Sequence, residues 1–317
     1  MTPPVLFLVF NRPDTTARVF AAIREARPAR LYVAADGPRA DREGEAARCA
    51  EVRRIATAVD WPCEVETLFR DANLGCRRAV SGAITWFFEH EPEGIILEDD
   101  CLPHPDFFRF CADMLEGWRD DPRVMCITGN NFQPPGRRYD ADYYFSIYNH
   151  CWGWASWRGA WAKYDAELAG FDPAQARPWL TRMHHVRGFA DFWTRGWTAV
   201  REGRLDSWAF IWTWSCWANG GLTVTPRVNL VSNIGFGDTA THTRSANDGK
   251  WNLPTWPLSF PLTHPAEIRA HHEFDAYVTR THFCIPGPSA MQRAARRLKR
   301  KVRRWTAQRT LIARQSP

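Results

Sequence analysis

Apolar runs of five or six residues, separated by longer stretches with helical spacing, organise the first hundred residues. Val5-Leu6-Phe7-Leu8-Val9-Phe10 reads as a strand ended by Asn11-Arg12-Pro13-Asp14, and Val19, Phe20 and Ile23 then recur on one helical face. Arg30 to Ala35 is a second strand, closed by Asp36-Gly37-Pro38, with a helix rich in Arg, Glu and Ala over roughly 40–58. Glu64 to Arg70 alternates as a third strand, Asp71-Ala72-Asn73-Leu74-Gly75 forms a turn, and a helix is predicted from about 76 to 90. Gly94-Ile95-Ile96-Leu97 is a fourth, buried strand that runs straight into Glu98-Asp99-Asp100, and Cys101-Leu102-Pro103-His104-Pro105 should stop regular structure there. This strand–helix alternation predicts an α/β fold with a mostly parallel central sheet and right-handed crossovers.

The second half is less regular. Strands are predicted over 124–128, 143–147, 222–226 and 229–234, and residues 174–202 look helical. Asp206 opens an amphipathic stretch to about Trp217 and is placed to cap it. Beyond Pro257 the pattern fades, until Met291, Ala294, Leu298, Val302 and Trp305 mark a cationic amphipathic helix. The expected division is a catalytic domain over 1–275 and a basic amphipathic tail over 276–317.

Composition changes this picture at three points. The net charge is +6, yet ten basic residues lie in 291–317 without one acid; the other 31 face 35 acidic residues, so the body is mildly negative and the positive charge belongs to the tail. Such a tail suits an anionic membrane surface better than nucleic acid, and with no signal peptide and no membrane-spanning run the expected location is cytoplasmic, peripheral at the inner membrane face. The nine cysteines are scattered without a C-x-x-C pair, which argues for reduced thiols rather than disulfides or a zinc site. The 17 tryptophans are unusually many, and several sit beside Gly or Asn, where rings commonly stack on sugars.

The chemistry gathers at one expected edge of the sheet. Ligands of open α/β sheets bind beyond the carboxyl ends of the strands, and there the loops Asn11-Arg12, Asp36-Gly37, Asn73 to Arg78 and Glu98 to Asp100 converge. Three adjacent acids at a strand end are costly unless they face a cation or hydrogen-bond donors. Arg77 and Arg78 open a helix, whose first amides and dipole favour an anion. Acids for a cation, arginines for phosphate and a lone Asp36 able to accept the imino proton of a uracil ring together suit a nucleoside diphosphate. No G-x-G-x-x-G follows the first strand, so an ordinary dinucleotide fold is unsupported.

Ile95 to Asp100 followed by Pro105-Asp106-Phe107-Phe108, with the Asn-Arg loop, Asp36 and the Arg-bearing helix, resembles the GT-A glycosyltransferases, in particular bacterial relatives of the N-acetylglucosaminyltransferases that carry a Glu-Asp-Asp motif. The resemblance covers roughly residues 4 to 245. It implies a GT-A (Rossmann-like) nucleotide-sugar transferase fold and an inverting, metal-dependent hexosyl transfer, with a UDP-sugar as the expected donor. Asp100 would bind Mn2+ or Mg2+, Asp99 and Glu98 would contact the ribose and the donor sugar, and His242 in the late Gly-rich loop would be a second metal ligand or a diphosphate contact. His150-Cys151-Trp152-Gly153-Trp154 resembles the family's Gly-Trp segment: Trp154 either presents a ring to the sugar or wedges the core. The candidate base is Asp206, although the acid that often directly follows the aromatic in relatives is Ala209 here, which keeps Asp238 and Glu202 as substitutes. The acceptor would be a growing surface glycan or a lipid-linked sugar. A sugar-nucleotide pyrophosphorylase is the rival enzyme, but Asn11-Arg12-Pro13 lacks the Gly-rich loop it would need; a degenerate sugar-binding or scaffold protein is the non-enzymatic alternative.

Overall fold

The computed structural model describes residues 1–235 and 252–285. Its first half alternates as the spacing predicts: β1 (Val5–Val9), α1 (Pro13–Ala26), β2 (Arg30–Ala35), α2 (Glu45–Ala56), β3 (Glu64–Phe69), α3 (Cys76–His90) and β4 (Glu93–Glu98). Then come β5 (Cys101–Pro103), α4 (Pro105–Trp118), β6 (Val124–Thr128), β7 (Tyr143–Ser146), β8 (Trp154–Trp157), and the single turn α5 (Arg158–Trp161). The rest comprises α6 (Pro173–Met183), α7 (Phe189–Arg201), α8 (Trp208–Ala218), β9 (Leu222–Pro226), β10 (Val231–Asn233) and α9 (His272–Thr281).

Eight strands form one sheet in the order β3-β2-β1-β4-β8-β6-β9-β7. Of its seven pairings, β1–β2, β2–β3, β1–β4 and β6–β9 are parallel. Those of β8 with β4 and β6, and of β7 with β9, are antiparallel. The fold is therefore mixed α/β with a large, mostly parallel central sheet, as expected. Because β8 reverses twice, β4 and β6 point the same way, and the carboxyl ends of β1, β2, β3, β4, β6 and β9 share one edge.

Strand parity sorts the side chains between two layers. Leu6, Leu8 and Ile96 face α3, α7 and α8, whereas Val5, Phe7, Ile95 and Leu97 face α1 and α4. The same parity turns Glu98 toward α3. Among the described residues ten tryptophans are buried. Eight of them lie in the layer with α7 and α8, where Trp193 packs edge-on to Trp217 and Trp197 edge-on to Trp214 and Trp217.

Several local expectations are corrected. Cys101–Pro103 is not the end of regular structure: it pairs with β10 in an antiparallel ribbon, and the Ile234 N–H donates to the Asp100 carbonyl at 2.8 Å. The helical stretch 174–202 is two helices, broken at His184–Gly188, where Gly188 takes φ +86°. The stretch after Asp206 is buried nearly all round rather than amphipathic, and its cap is Ser207, whose hydroxyl accepts from the Phe210 N–H. The 275/276 division falls inside α9, where buried Asp275 accepts from the Ser146 hydroxyl at 2.6 Å and Val278 joins the core. Among the described residues no helix is long and apolar enough to cross a membrane. The basic tail helix predicted near 290–305 lies outside the described residues.

Candidate active site

A cleft of about 320 Å3 opens at the carboxyl ends of β1, β2 and β4, bounded by α3. Its apolar floor is Leu8, Ala34, Ala79, Val80 and Ala83; its polar walls carry Arg12, Asp36, Arg39, Arg70, Glu98, Asp99, Asp100 and Asp206. Most of the loops that converge in the sequence therefore converge in space, and one acid, Asp206, arrives from the distant α7–α8 connection.

The acid block is held firmly. The Phe10 N–H donates to Asp99 Oδ2 at 3.1 Å, and Arg12 Nη1 donates to Asp100 Oδ2 at 2.7 Å while lying 3.9 Å from Asp99 Oδ1. Burial, then repulsion from Asp100, raises the carboxyls of Glu98 and Asp99 above the usual range; Asp99 adds to the rise of Glu98, and Arg12 opposes both. Burial pulls the Arg12 guanidinium down, but Asp99 and Asp100 outweigh it and hold the group above its ordinary value.

Asp36 lines the cleft and also organises the chain around it. Its oxygens accept from the N–H groups of Gly37, Leu74 and Gly75 at 3.0–3.2 Å, and Asn73 Nδ2 donates to the Gly37 carbonyl at 2.9 Å. The turn before α3 is thus wrapped around this carboxylate. Gly37 lies so close beneath it that a Cβ would stand 2.5 Å from the Ala72 backbone.

The arginines are also redistributed. Arg77 reaches away to the Ala166 carbonyl and to Glu167, 3.6 Å off, and Arg78 is exposed; neither lines the cleft. The anion at the start of α3 is the protein's own: Asp206 Oδ1 accepts from the Arg77 N–H at 3.1 Å, capping a helix whose Gly75 has no side chain to do so. In their place Arg39 and Arg70 face the cleft. Arg70 directly follows β3, and burial lowers its pKa, only partly offset by Asp36. Arg39 is anchored by Glu45, a fully buried carboxylate that also accepts from Asn11 Nδ2 at 2.8 Å and the Arg39 N–H at 2.7 Å. Asn11 therefore braces the site from behind rather than lining it. Arg70 was legible as the polar residue at a parallel strand's carboxyl end; Glu45, a lone acid at a helix start, carried no such signal.

Trp154 offers no ring to a ligand. It is completely buried, stacked on Trp208 at 5.8 Å between ring centroids, and leaves no face for a ligand. The core-wedge alternative is the one the structure supports. Glu202 is exposed, paired with Arg204 and away from the cleft. Asp238 and His242 lie outside the described residues.

A divalent cation here would share Asp100 with Arg12, whose Nη1 already donates to its Oδ2 at 2.7 Å. Gly235 packs closely over that pair: a Cβ there would lie 2.2 Å from Asp100 Oδ2 and 2.6 Å from Arg12 Nη1. Among the described residues no group of three His, Cys, Asp or Glu side chains converges to hold a metal. A hard cation using one or two carboxylates and completing its shell with phosphate oxygens and water fits this donor set.

No family profile matches the chain, and no curated protein matches it. Solved structures to which it is similar include HddC from Yersinia pseudotuberculosis, at 10% identity over 50% of this chain and 77% of that one with a TM-score of 0.31. S. aureus TarS 1–349 aligns at 8% identity over 50% and 48% of the two chains with a TM-score of 0.34. Mouse xyloside xylosyltransferase 1 in its apo form aligns at 12% identity over 69% and 83% with a TM-score of 0.36. Likeness at this level concerns the course of the chain alone; the chemistry rests on the residues described above.

Proposed function

We propose that the chain is a glycosyltransferase that takes a nucleotide sugar, most simply a UDP-sugar, in the cleft above α3 and inverts the transferred sugar. The observation that supports this is the meeting, at one sheet edge, of an acid block, three guanidinium groups and an isolated carboxylate from another part of the chain. The apolar floor accommodates a flat base, and Arg12, Arg39 and Arg70 complement a diphosphate. Asp100, with Asp99 behind it, would hold Mn2+ or Mg2+. Once bound, such a cation neutralises the diphosphate so that it can leave. Asp206 stands at the cleft wall as the acceptor of the attacking hydroxyl's proton, its second oxygen 3.1 Å from where a Gly75 Cβ would be. The acceptor is a glycan or lipid-linked sugar, and the basic tail would bring the protein to an anionic membrane surface from the cytoplasm; deleting 291–317 should abolish co-sedimentation with anionic liposomes.

Thermal unfolding with UDP, GDP, CDP and TDP, each with and without Mn2+, tests the central reading. Ligand that binds only the folded chain raises its midpoint by mass action. One nucleotide should do so far better with Mn2+, and Asp100→Asn should erase the Mn2+ dependence while the variant alone unfolds like the parent. No shift with any nucleotide would overturn the proposal.

A further inference from the structure

The two margins of the large sheet are finished differently. At one, β7 is buried, and the chain continues the ladder past it: the His271 N–H donates to the Phe145 carbonyl at 2.8 Å. At the other, β3 is bare. Strands of parallel sheets are normally covered on both faces, and β1 is buried throughout, yet five of the six β3 residues are exposed. Val65 and Phe69 are two of the five large apolar side chains exposed among the described residues. Natural edges are usually blunted by Pro, Lys, a bulge or shortness. β3 has none of these: its six residues include neither Pro nor Lys, and they pair with β2 in unbroken register.

The hydrogen-bonding groups of this edge can be assigned. The Glu64 N–H donates to the Ala29 carbonyl at 2.9 Å, and the Arg70 N–H to the Ala35 carbonyl at 3.0 Å. Successive residues of a strand turn their backbone groups to opposite sides, so the even-numbered positions face β2. Val65, Thr67 and Phe69 therefore turn N–H and C=O outward, where no partner meets them among the described residues.

A second copy fits that edge. Run antiparallel with a two-fold axis at Thr67, it sets Thr67 opposite Thr67, Val65 opposite Phe69 and Glu64 opposite Arg70. The three outward residues then each exchange two hydrogen bonds with the copy, six in all. Every other two-fold axis does worse. One at Glu66 sets like charges face to face, one at Leu68 carries Val65 past the end of β3, and one between residues opposes outward to inward groups. Aromatic with β-branched, Thr with Thr and acid with base are the opposed pairs that stabilise antiparallel sheets. Glu66 meets Leu68, and its own copy lies only on the longer diagonal. Glu64 is free to turn outward, since its side chain is 82% exposed and lies 3.6 Å from an exposed Arg30, a pairing worth little.

We propose that the protein forms a two-fold homodimer through β3, antiparallel to its copy, joining two eight-stranded sheets into one. Self-complementarity selects a second copy over another partner, because one strand supplies both members of every pair. Arg70 also lines the cleft, so the interface borders the candidate active site.

Sedimentation equilibrium of the full chain from about 1 to 100 µM, where weak specific dimers dissociate, reads the mass. Thermal unfolding confirms that each variant folds. The parent should approach twice 36.5 kDa. Thr67→Pro removes an outward N–H, keeps the ladder to β2, and should weaken the dimer at least about tenfold. Glu64→Arg and Arg70→Glu each oppose like charges and should each weaken self-association about tenfold. An equimolar mixture of those two variants, or one chain carrying both changes, restores complementary pairs and should recover the parent's affinity. A parent that stays monomeric throughout would overturn the proposal. So would a dimer unchanged by folded Thr67→Pro and Glu64→Arg, which places the contact on another face. Single variants that weaken the dimer with no recovery in the mixture would refute the antiparallel register, and the proposal with it.

Discussion

Glu45 offers a quantitative check on how the cleft is built. Its carboxylate has no exposed surface and gathers Asn11, the Arg39 N–H and the Arg39 guanidinium, tying the loops after β1 and β2 to the start of α2. The Arg39 hydrogen bonds hold this carboxyl at about 2, against an ordinary value of 4.5; burial opposes them, and Asn11 adds a smaller pull. A depressed folded pKa stabilises the fold fully above the unfolded value and loses that contribution as pH falls from 4.5 toward about 2. Removing one partner of a buried ion pair costs about 3–5 kcal/mol. Arg39 is 38% exposed, so solvent screens part of this. About 2–3 kcal/mol is the working figure after that discount. For Glu45→Gln this predicts a Tm lowered by about 3–5 °C at neutral pH. Scanning calorimetry of both proteins at neutral pH and at successive steps below 4.5 reads the effect: the gap should narrow as the parent's carboxylate protonates. A gap that persists unchanged through that window, or one absent at neutral pH, would refute the assignment.

Other expectations follow from the same geometry. Asp206→Asn keeps an oxygen for the Arg77 N–H and should unfold like the parent while transfer falls by about 10²–10⁴; Asp206→Ala should lose a further ~1 kcal/mol of stability by calorimetry. Arg70→Ala should weaken nucleoside diphosphate binding about tenfold or more, the scale of one charge-assisted hydrogen bond, whereas Arg77→Ala, whose side chain points to Ala166 and Glu167, should change it less than about twofold by calorimetry. Trp154→Phe should destabilise the fold by about 2 kcal/mol, less than the 3–5 of full truncation to Ala, and leave nucleotide affinity in the folded protein unchanged; a specific loss of sugar binding would restore Trp154 as a ligand ring.

Hydrophobic periodicity was enough to place the strands and helices of residues 1–100, because each is a local pattern whose period shows which face is buried. The acid block was legible for the same reason: apolar residues that end abruptly in three carboxylates mark a strand end at a ligand edge. Asp206 could be singled out, but not its partner, since the bond to the Arg77 N–H spans 129 residues. Arg77 and Arg78 misled because a helix start attracts anions in general, and nothing local says that a distant carboxylate already fills this one. The tryptophans were ambiguous for a related cause: an indole beside glycine packs equally well on a sugar or on other indoles, and only the stacking of α7, α8 and β8 decides. Glu45 carries no sequence signal at all. Its role comes from which donors surround a buried carboxylate, and only the folded chain settles that.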